Sequence, residues 1–336
     1  MAPRCWIGLL LASVSCAAPP DVVAIGAAAS TATGGAAGAG GEGGADAEVI
    51  PLEGAVEGHD PSALFDGDQL WIVSGGSGVL LRTSADLRTV GEATNVFVLP
   101  AWAAEKVPDA QSIWSPELAY FGGSYHVYYA VSTLGATRSC IGHATTDALA
   151  LDSTWVDRGS VVCSNTGDSF NAIDPNVLQT SDGGVWLAYG SYATGIKLVQ
   201  LDADGTAPIA DPVAIAARPD DGGALQAPAL AEHGGYYYLF VSFGHDATHS
   251  LMVGRAEAIE GPYVDRSGRA LLEGGGDPVF QTSARFVGAG SNDVFAIGEQ
   301  SYNVFDAYDQ ADGNRMKLRL ATMTWDSDGW PVSGGP

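Results

Sequence analysis

The sequence predicts an all-β fold, a five-bladed β-propeller, and three observations lead there. Apolar residues almost nowhere recur at helical spacing. Instead, short runs rich in Val, Leu, Tyr, Phe and Trp ("QLWIVSGG", "SYHVYYAVST", "VWLAYGSY", "YYYLFVSFG", "YNVFDAYD") alternate with Gly and Asp-Gly turn signals, the pattern of strands buried on both faces. Most tellingly, a unit of such strands repeats. Its openings are "HDPSALFDGDQLWIVSG", "WSPELAYFGGSYHVYYA", "IDPNVLQTSDGGVWLAYG" and "QAPALAEHGGYYYLFVS", with prolines at 61, 116, 175 and 228. A fifth copy, "GAGSNDVFAIGEQSYNVFDAYD", lacks the Pro. Separations of 55, 59 and 53 residues leave room for about four strands per unit, the content of one propeller blade. A two-sheet sandwich would use a shorter period.

From the N-terminus, residues 1–16 read as a signal peptide. Arg4 precedes the apolar "CWIGLLLASVS", and Cys16 follows small residues. The run is too short for a permanent transmembrane helix. Cys after Val-Ser resembles a lipoprotein cleavage box, although Ser13 stands where Leu is usual; simple secretion and lipid anchoring at a bacterial cell surface both remain open. Residues 17–56 read as a flexible tether, because thirteen of the seventeen residues 31–47 are Gly or Ala and bury too little to offset their ordering entropy. Residues 57–336 form the propeller domain.

With 39 acidic and 15 basic residues the formal charge is -24, which repels nucleic acid and anionic membranes. Cys5 and Cys16 belong to the signal. Cys140 and Cys163 are then the pair an exported protein can oxidise. No Cys/His spacing suggests zinc. His143, His233, His245 and His249 show no metal spacing either, and default to strand or surface positions.

Residues just before each repeat-opening Pro converge near one mouth of the central channel in such an architecture. Two of them are carboxylates, Asp60 in "HDPS" and Asp174 in "NAIDPN". Asp before Pro also shapes turns. Recurrence at equivalent positions favours chemistry, and paired carboxylates around a cleft suit glycosidic hydrolysis.

From about His59 to Pro331 the chain resembles glycoside hydrolase family 43, in particular the endo-1,5-α-L-arabinanases. The resemblance rests on "HDPSALF", "IWSPELAYFGGSYHVYYAVSTLG", "SFNAIDPNVL", "WLAYGSYATGIKLVQLD", "YYYLFVSFG", "MVGRAEAIEGPYVDRSG" and "TWDSDGWPV", in the family's order. It implies a five-bladed propeller and inverting hydrolysis of arabinan or a related plant cell-wall polysaccharide, with no required cofactor. Asp60 then matches the general base, and Asp174 the auxiliary aspartate that tunes and orients the acid. The acid itself is a Glu two positions before the fourth Pro; here that position is Gln226. An amide can hydrogen-bond a glycosidic oxygen but cannot surrender a proton. The resemblance therefore leaves a second expectation beside the hydrolase, a catalytically inactive propeller that binds carbohydrate.

Glu117 in "WSPE" is the nearest candidate for a substitute acid by location, while Glu232 belongs to the far hairpin. In the fifth blade "GAGSND" lacks the family's His, and "FDAYD" puts Asp306 where another His is expected. Asp293 and Asp306 are then either solvated loop acids or ligands of a calcium ion in the channel. Trp114 and Tyr192 are candidates to stack on sugar rings, with core packing the alternative for Trp114. Asn171 and Ser191 are candidates to hydrogen-bond sugar hydroxyls. "SYA" in place of the family's "SFW" removes an aromatic at Ala193.

Overall fold

The computed structural model describes residues 46–280 and 283–336, so the signal peptide and residues 17–45 of the tether lie outside the described residues. Five antiparallel sheets follow one another around an axis. Blade 1 comprises Ser62–Phe65, Leu70–Ser74, Gly78–Ser84 and Thr94–Val98; blade 2 comprises Trp114–Phe121, Ser124–Val131, Ser139–Thr146 and Val156–Ser164. Blade 3 is built from Asn176–Gln179, Val185–Tyr189, Ile196–Leu201 and Val213–Ala216, and blade 4 from Leu225–His233, Tyr236–Phe243, Ser250–Ala256 and Asp277–Pro278. Blade 5 has Phe286–Ile297, Gln300–Asp309 and Arg315–Trp325. In every blade the first strand is innermost, and these five touch one another in a closed ring.

The outer edge of blade 5 joins the two ends of the described chain. Val49–Ile50 pairs with Ala321 and Leu320, and Pro331–Ser333 pairs with Met323–Trp325 on the same strand. Closure by both ends leaves no open seam between last and first blade. It also places residues 49–56, assigned above to the tether, inside the fold.

Runs without apolar–polar alternation have a direct cause. Each sheet is packed on both faces, so Leu70–Ser74 and Ser139–Thr146 are buried throughout. Separate apolar clusters fill the gaps between blades: Val73, Val79, Tyr129 and Val131 between blades 1 and 2, Ile141, Val177 and Leu187 between 2 and 3, Leu198, Leu230 and Leu239 between 3 and 4. Phe240, Val253 and Met323 serve blades 4 and 5, and Ile72, Val304 and Leu318 serve 5 and 1.

The inner ends of the blades are tied by hydrogen bonds one residue inward of the prolines. Leu118 N–H donates to Ser62 Oγ (3.0 Å), Val177 N–H to Glu117 Oε1 (3.3 Å), Leu230 N–H to Asn176 Oδ1 (2.8 Å) and Ala63 N–H to Asp293 Oδ2 (2.9 Å). Each side chain thus caps the next blade's inner strand, and only blade 4, with Ala229 at this position, contributes none.

Cys140 and Cys163 are register partners on the outer strands of blade 2 and form a disulfide. Their separation of 23 residues corresponds to about 3 kcal/mol from the restricted unfolded chain. Replacing both by Ala is expected to lower the unfolding free energy by about that amount in urea titration. An unchanged denaturation midpoint would contradict this.

Candidate active site

Five residues at equivalent places carry the same unusual backbone. Asp60 (φ 50), Ser115 (φ 42), Asp174 (φ 52), Ala227 (φ 51) and Ser291 (φ 46) are all left-handed. Four of them directly precede Pro, where steric contact ordinarily drives the residue to extended geometry. Strain of this kind, about 1–3 kcal/mol per residue, persists where the surrounding structure imposes it, commonly at functional sites. The kink turns each side chain toward the axis. Asp60, Ser115, Asp174 and Ser291 therefore meet at the mouth of the channel, at the floor of a cleft of about 700 Å³.

Asp60 sits at the centre of the polar network. Its Oδ2 accepts from His59 Nδ1 (3.0 Å) and from Ser115 Oγ (2.9 Å), and its backbone N–H donates to Asp306 Oδ2 (2.8 Å). Burial works against its ionisation, but the His59 hydrogen bond and charge, with Ser291 and Ser115, hold its pKa below the ordinary value. The same contact raises His59 to about 9. Asp60 is thus an anion at neutral pH.

The His59 shift has a pH signature. Because its folded pKa lies above the ordinary 6.5, its stabilising contribution is complete below about pH 6.5 and is lost as pH rises through about 9. Half of the His59 side chain is exposed, so solvent screening keeps the effect modest. His59→Gln is expected to flatten the decline of the unfolding midpoint across that window; a decline of unchanged slope would contradict the assignment.

Asp174 has the opposite character. Ser115 Oγ lies 2.9 Å from its Oδ1, and Ala227 N–H donates to its Oδ2 at 3.2 Å. Burial, followed by the negative charge of Asp60, raises its pKa to about 7. Two carboxyl groups joined through one hydroxyl are therefore pushed apart in acidity, the arrangement that separates acid from base roles.

Gln226 lines the same cleft. Its amide nitrogen lies 2.7 Å from His249 Nε2, an imidazole that burial keeps below its ordinary pKa. Gly290 makes room for that imidazole, since a Cβ there would come within 2.7 Å of Ser242 Oγ and 3.1 Å of His249 Nδ1. His249 and His245 both line the cleft, whereas His143 is fully buried and stacked on Tyr128, and His233 stacks on Trp325. Sequence spacing gave no sign of the His249 contact, because the loop that brings it back to Gln226 is 23 residues away.

Trp114, Asn171, Ser191 and Tyr192 also line the cleft with Asp60, Asp174 and Gln226. Asn171 and Ser191 are locked together, Asn171 Nδ2 donating to Ser191 Oγ (2.9 Å) and Ser191 N–H to Asn171 Oδ1 (2.8 Å). Tyr192 and Ala193 are both left-handed, with φ of 47 and 45, and so turn the loop over the cleft.

Three predicted residues lie elsewhere. Glu117 is buried one residue inward, accepting from Asn176 Nδ2 (2.9 Å) and Val177 N–H, and it lines the channel rather than the cleft. Burial and then Asp293 push its pKa well up. Asp293 is not a solvated loop acid either; its oxygens accept from Ser62 Oγ, Ala63 N–H and Val294 N–H. Asp306 is buried beneath Asp60, and burial and the Asp60 charge raise its pKa well above the ordinary value. Asp293 spends both oxygens on hydrogen bonds, whereas Asp306 accepts from Asp60 N–H through Oδ2 and its buried Oδ1 has no protein partner. Among the described residues no three His, Cys, Asp or Glu side chains gather around them. Ser115, Ser291 and His59 were missed as site residues, although the five-fold repeat marks the first two by position.

The profile described as "Glycosyl hydrolases family 43" matches residues 54–331. The chain belongs to glycosyl hydrolase family 43. Among its curated relatives, the extracellular endo-α-(1→5)-L-arabinanase 1 of Bacillus subtilis (strain 168) is 36% identical over 284 residues, covering 81% of this chain and 86% of that one. Among solved structures, a family 43 endo-arabinanase from Bacillus licheniformis superposes with a TM-score of 0.80 at 37% identity, covering 84% of this chain and 99% of that one. The α-L-arabinanase of Cellvibrio cellulosa complexed with arabinohexaose gives a TM-score of 0.78 at 31% identity, over 84% and 100% of the two chains. The chain thus shares its propeller fold with solved arabinanases. Among its described residues no helix is long and apolar enough to cross a membrane.

Proposed function

We propose that the protein is an exported hydrolase of α-1,5-linked arabinan, inverting the anomeric centre with Asp60 as general base. The observation that carries this reading is the Asp60 carboxyl at the floor of the cleft, with His59 and Ser115 both hydrogen-bonded to its Oδ2. A water near Asp60 loses its proton to the carboxylate as its oxygen attacks the anomeric carbon. Trp114 and Tyr192 supply ring faces for the furanose units, and the paired Asn171 and Ser191 supply fixed polar atoms for their hydroxyls. The sugar is supported by the names of the relatives, and export by the extracellular one together with the signal-like residues 1–16.

Gln226 supports a second reading, a propeller that binds arabino-oligosaccharide without cleaving it. Its amide, fixed against His249, offers a hydrogen bond where the family's acid offers a proton. Chromatography of products from linear arabinan and from xylan separates the readings. Hydrolysis predicts arabino-oligosaccharides from the first and nothing from the second. Tight binding of arabino-oligosaccharide in calorimetry with no new product would favour the binding propeller.

A further inference from the structure

We infer that Asp174 is the proton donor of this chain, standing in for the missing glutamate, and that Ser115 is the hydroxyl through which its proton is restored. This rests on the hydrolytic reading above. The argument starts from counting hydrogens. Ser115 Oγ lies 2.9 Å from Asp60 Oδ2 and 2.9 Å from Asp174 Oδ1, yet a serine carries one hydroxyl hydrogen. One hydrogen serves two ionised carboxylates poorly, whereas a proton on one of them, donated to Oγ, satisfies both contacts at full strength. His59 decides which. Its N–H reaches the same Asp60 oxygen at 3.0 Å, fixing the negative charge there and leaving the proton on Asp174.

Position then matches the role. Asp174 lines the cleft beside Gln226, and its second oxygen takes the N–H of Ala227, the residue after Gln226. Its carboxyl therefore lies against the backbone that carries the vacated acid position. Other acidic side chains are worse placed: Glu117 lies inward in the channel, and Asp246 stands at the rim with 81% of its side chain exposed. In this chain a residue that merely tunes an acid would have nothing to tune, since an amide has no proton to give.

The step balances. Water attacks the anomeric carbon and its proton passes to Asp60, through the oxygen not engaged by His59 and Ser115. The C–O bond to the leaving group breaks as Asp174 delivers its proton to the glycosidic oxygen. Products are a reducing sugar and an alcohol, with Asp60 protonated and Asp174 ionised. Once the Asp60 proton has moved from Oδ1 to Oδ2 by exchange with solvent, the same two 2.9 Å contacts with both hydrogens reversed carry it from Asp60 to Ser115 and from Ser115 to Asp174, which resets the site.

Groups facing Asp174 are Asp60 and His59 from the blade 1 opening, Ser115 from blade 2, Tyr192 from the blade 3 loop, and Gln226 with His249 from blade 4. Their net effect keeps Asp174 protonated up to about pH 7, so wild-type turnover of arabinan should fall as pH rises through that value.

The test compares wild type and Asp174→Asn on linear arabinan and on 4-nitrophenyl α-L-arabinofuranoside, whose leaving group needs no proton. The expected result is a loss of about 10²–10⁴-fold on arabinan, a much smaller loss on the aryl glycoside, and disappearance of the alkaline limb. Difference infrared titration of wild type against the variant provides a readout independent of turnover, with a carboxylic-acid band that disappears near pH 7. Equal losses on both substrates, an alkaline limb that survives, or absence of that band would overturn the assignment alone. Wild type inert on both substrates would overturn the hydrolytic reading and this one with it.

Discussion

Asp60→Asn is expected to reduce turnover of linear arabinan by about 10²–10⁴-fold, the share a positioned general base supplies. The change keeps size and tolerates the left-handed backbone, because Asn adopts φ near 50 as readily as Asp. It removes the one anion at the cleft floor that His59 and Ser115 stabilise together. His59 loses the partner that raises it to about 9, so its titration should return toward 6.5 in the variant. Proton NMR of the imidazole checks that shift without any turnover. A variant that retains wild-type rate, or a His59 that still titrates near 9, would contradict the role given to Asp60. Because the Asp60 side chain lines the cleft and is 24% exposed rather than set in an apolar core, the fold should survive.

Gln226→Glu is expected to act in the other direction, raising turnover of arabinan by about 10²-fold while changing hydrolysis of the 4-nitrophenyl glycoside little. The gain sits at the low end of what a general acid contributes because Asp174 already supplies a proton in wild type. A carboxyl at 226 would lie beside His249, 2.7 Å from the present amide nitrogen, and near the ionised Asp60. Both surroundings shape its acidity, and the leaving-group dependence measured over a series of aryl arabinofuranosides reads the result. A gain equal on good and poor leaving groups would show that the residue affects binding rather than protonation.

Much of this architecture could be read before any coordinates. The four Pro-opened repeats fix blades 1 to 4, and the both-face packing explains why strands such as Leu70–Ser74 show no alternation. The fifth copy was harder because Asn292 replaces Pro, yet Ser291 keeps the same left-handed backbone. Asp60 and Asp174 were legible because they occupy the last position before the Pro that opens their repeats, and Gln226, one residue further back, through the family resemblance. What stayed hidden was side-chain depth. Glu117 is two residues past Ser115, which plain strand alternation would put on the same face, yet the left-handed Ser115 and the register shift between Trp114 and Glu117 turn it from the cleft to the girdle. Asp293 follows the same rule in blade 5. The closing strand Val49–Ile50 was hidden for another reason: two residues carry no periodicity, and only their partner Leu320 and Ala321 make them a strand. His249 was unreadable because its contact with Gln226 is made by a loop return.

The central claim is that this cleft hydrolyses arabinan through Asp60 although residue 226 is an amide. New reducing ends released from linear α-1,5-arabinan by purified wild type, with Asp60→Asn as control, test it most directly. The account predicts release by wild type that Asp60→Asn abolishes. Release that is absent from wild type, or equal in the two proteins, would contradict it.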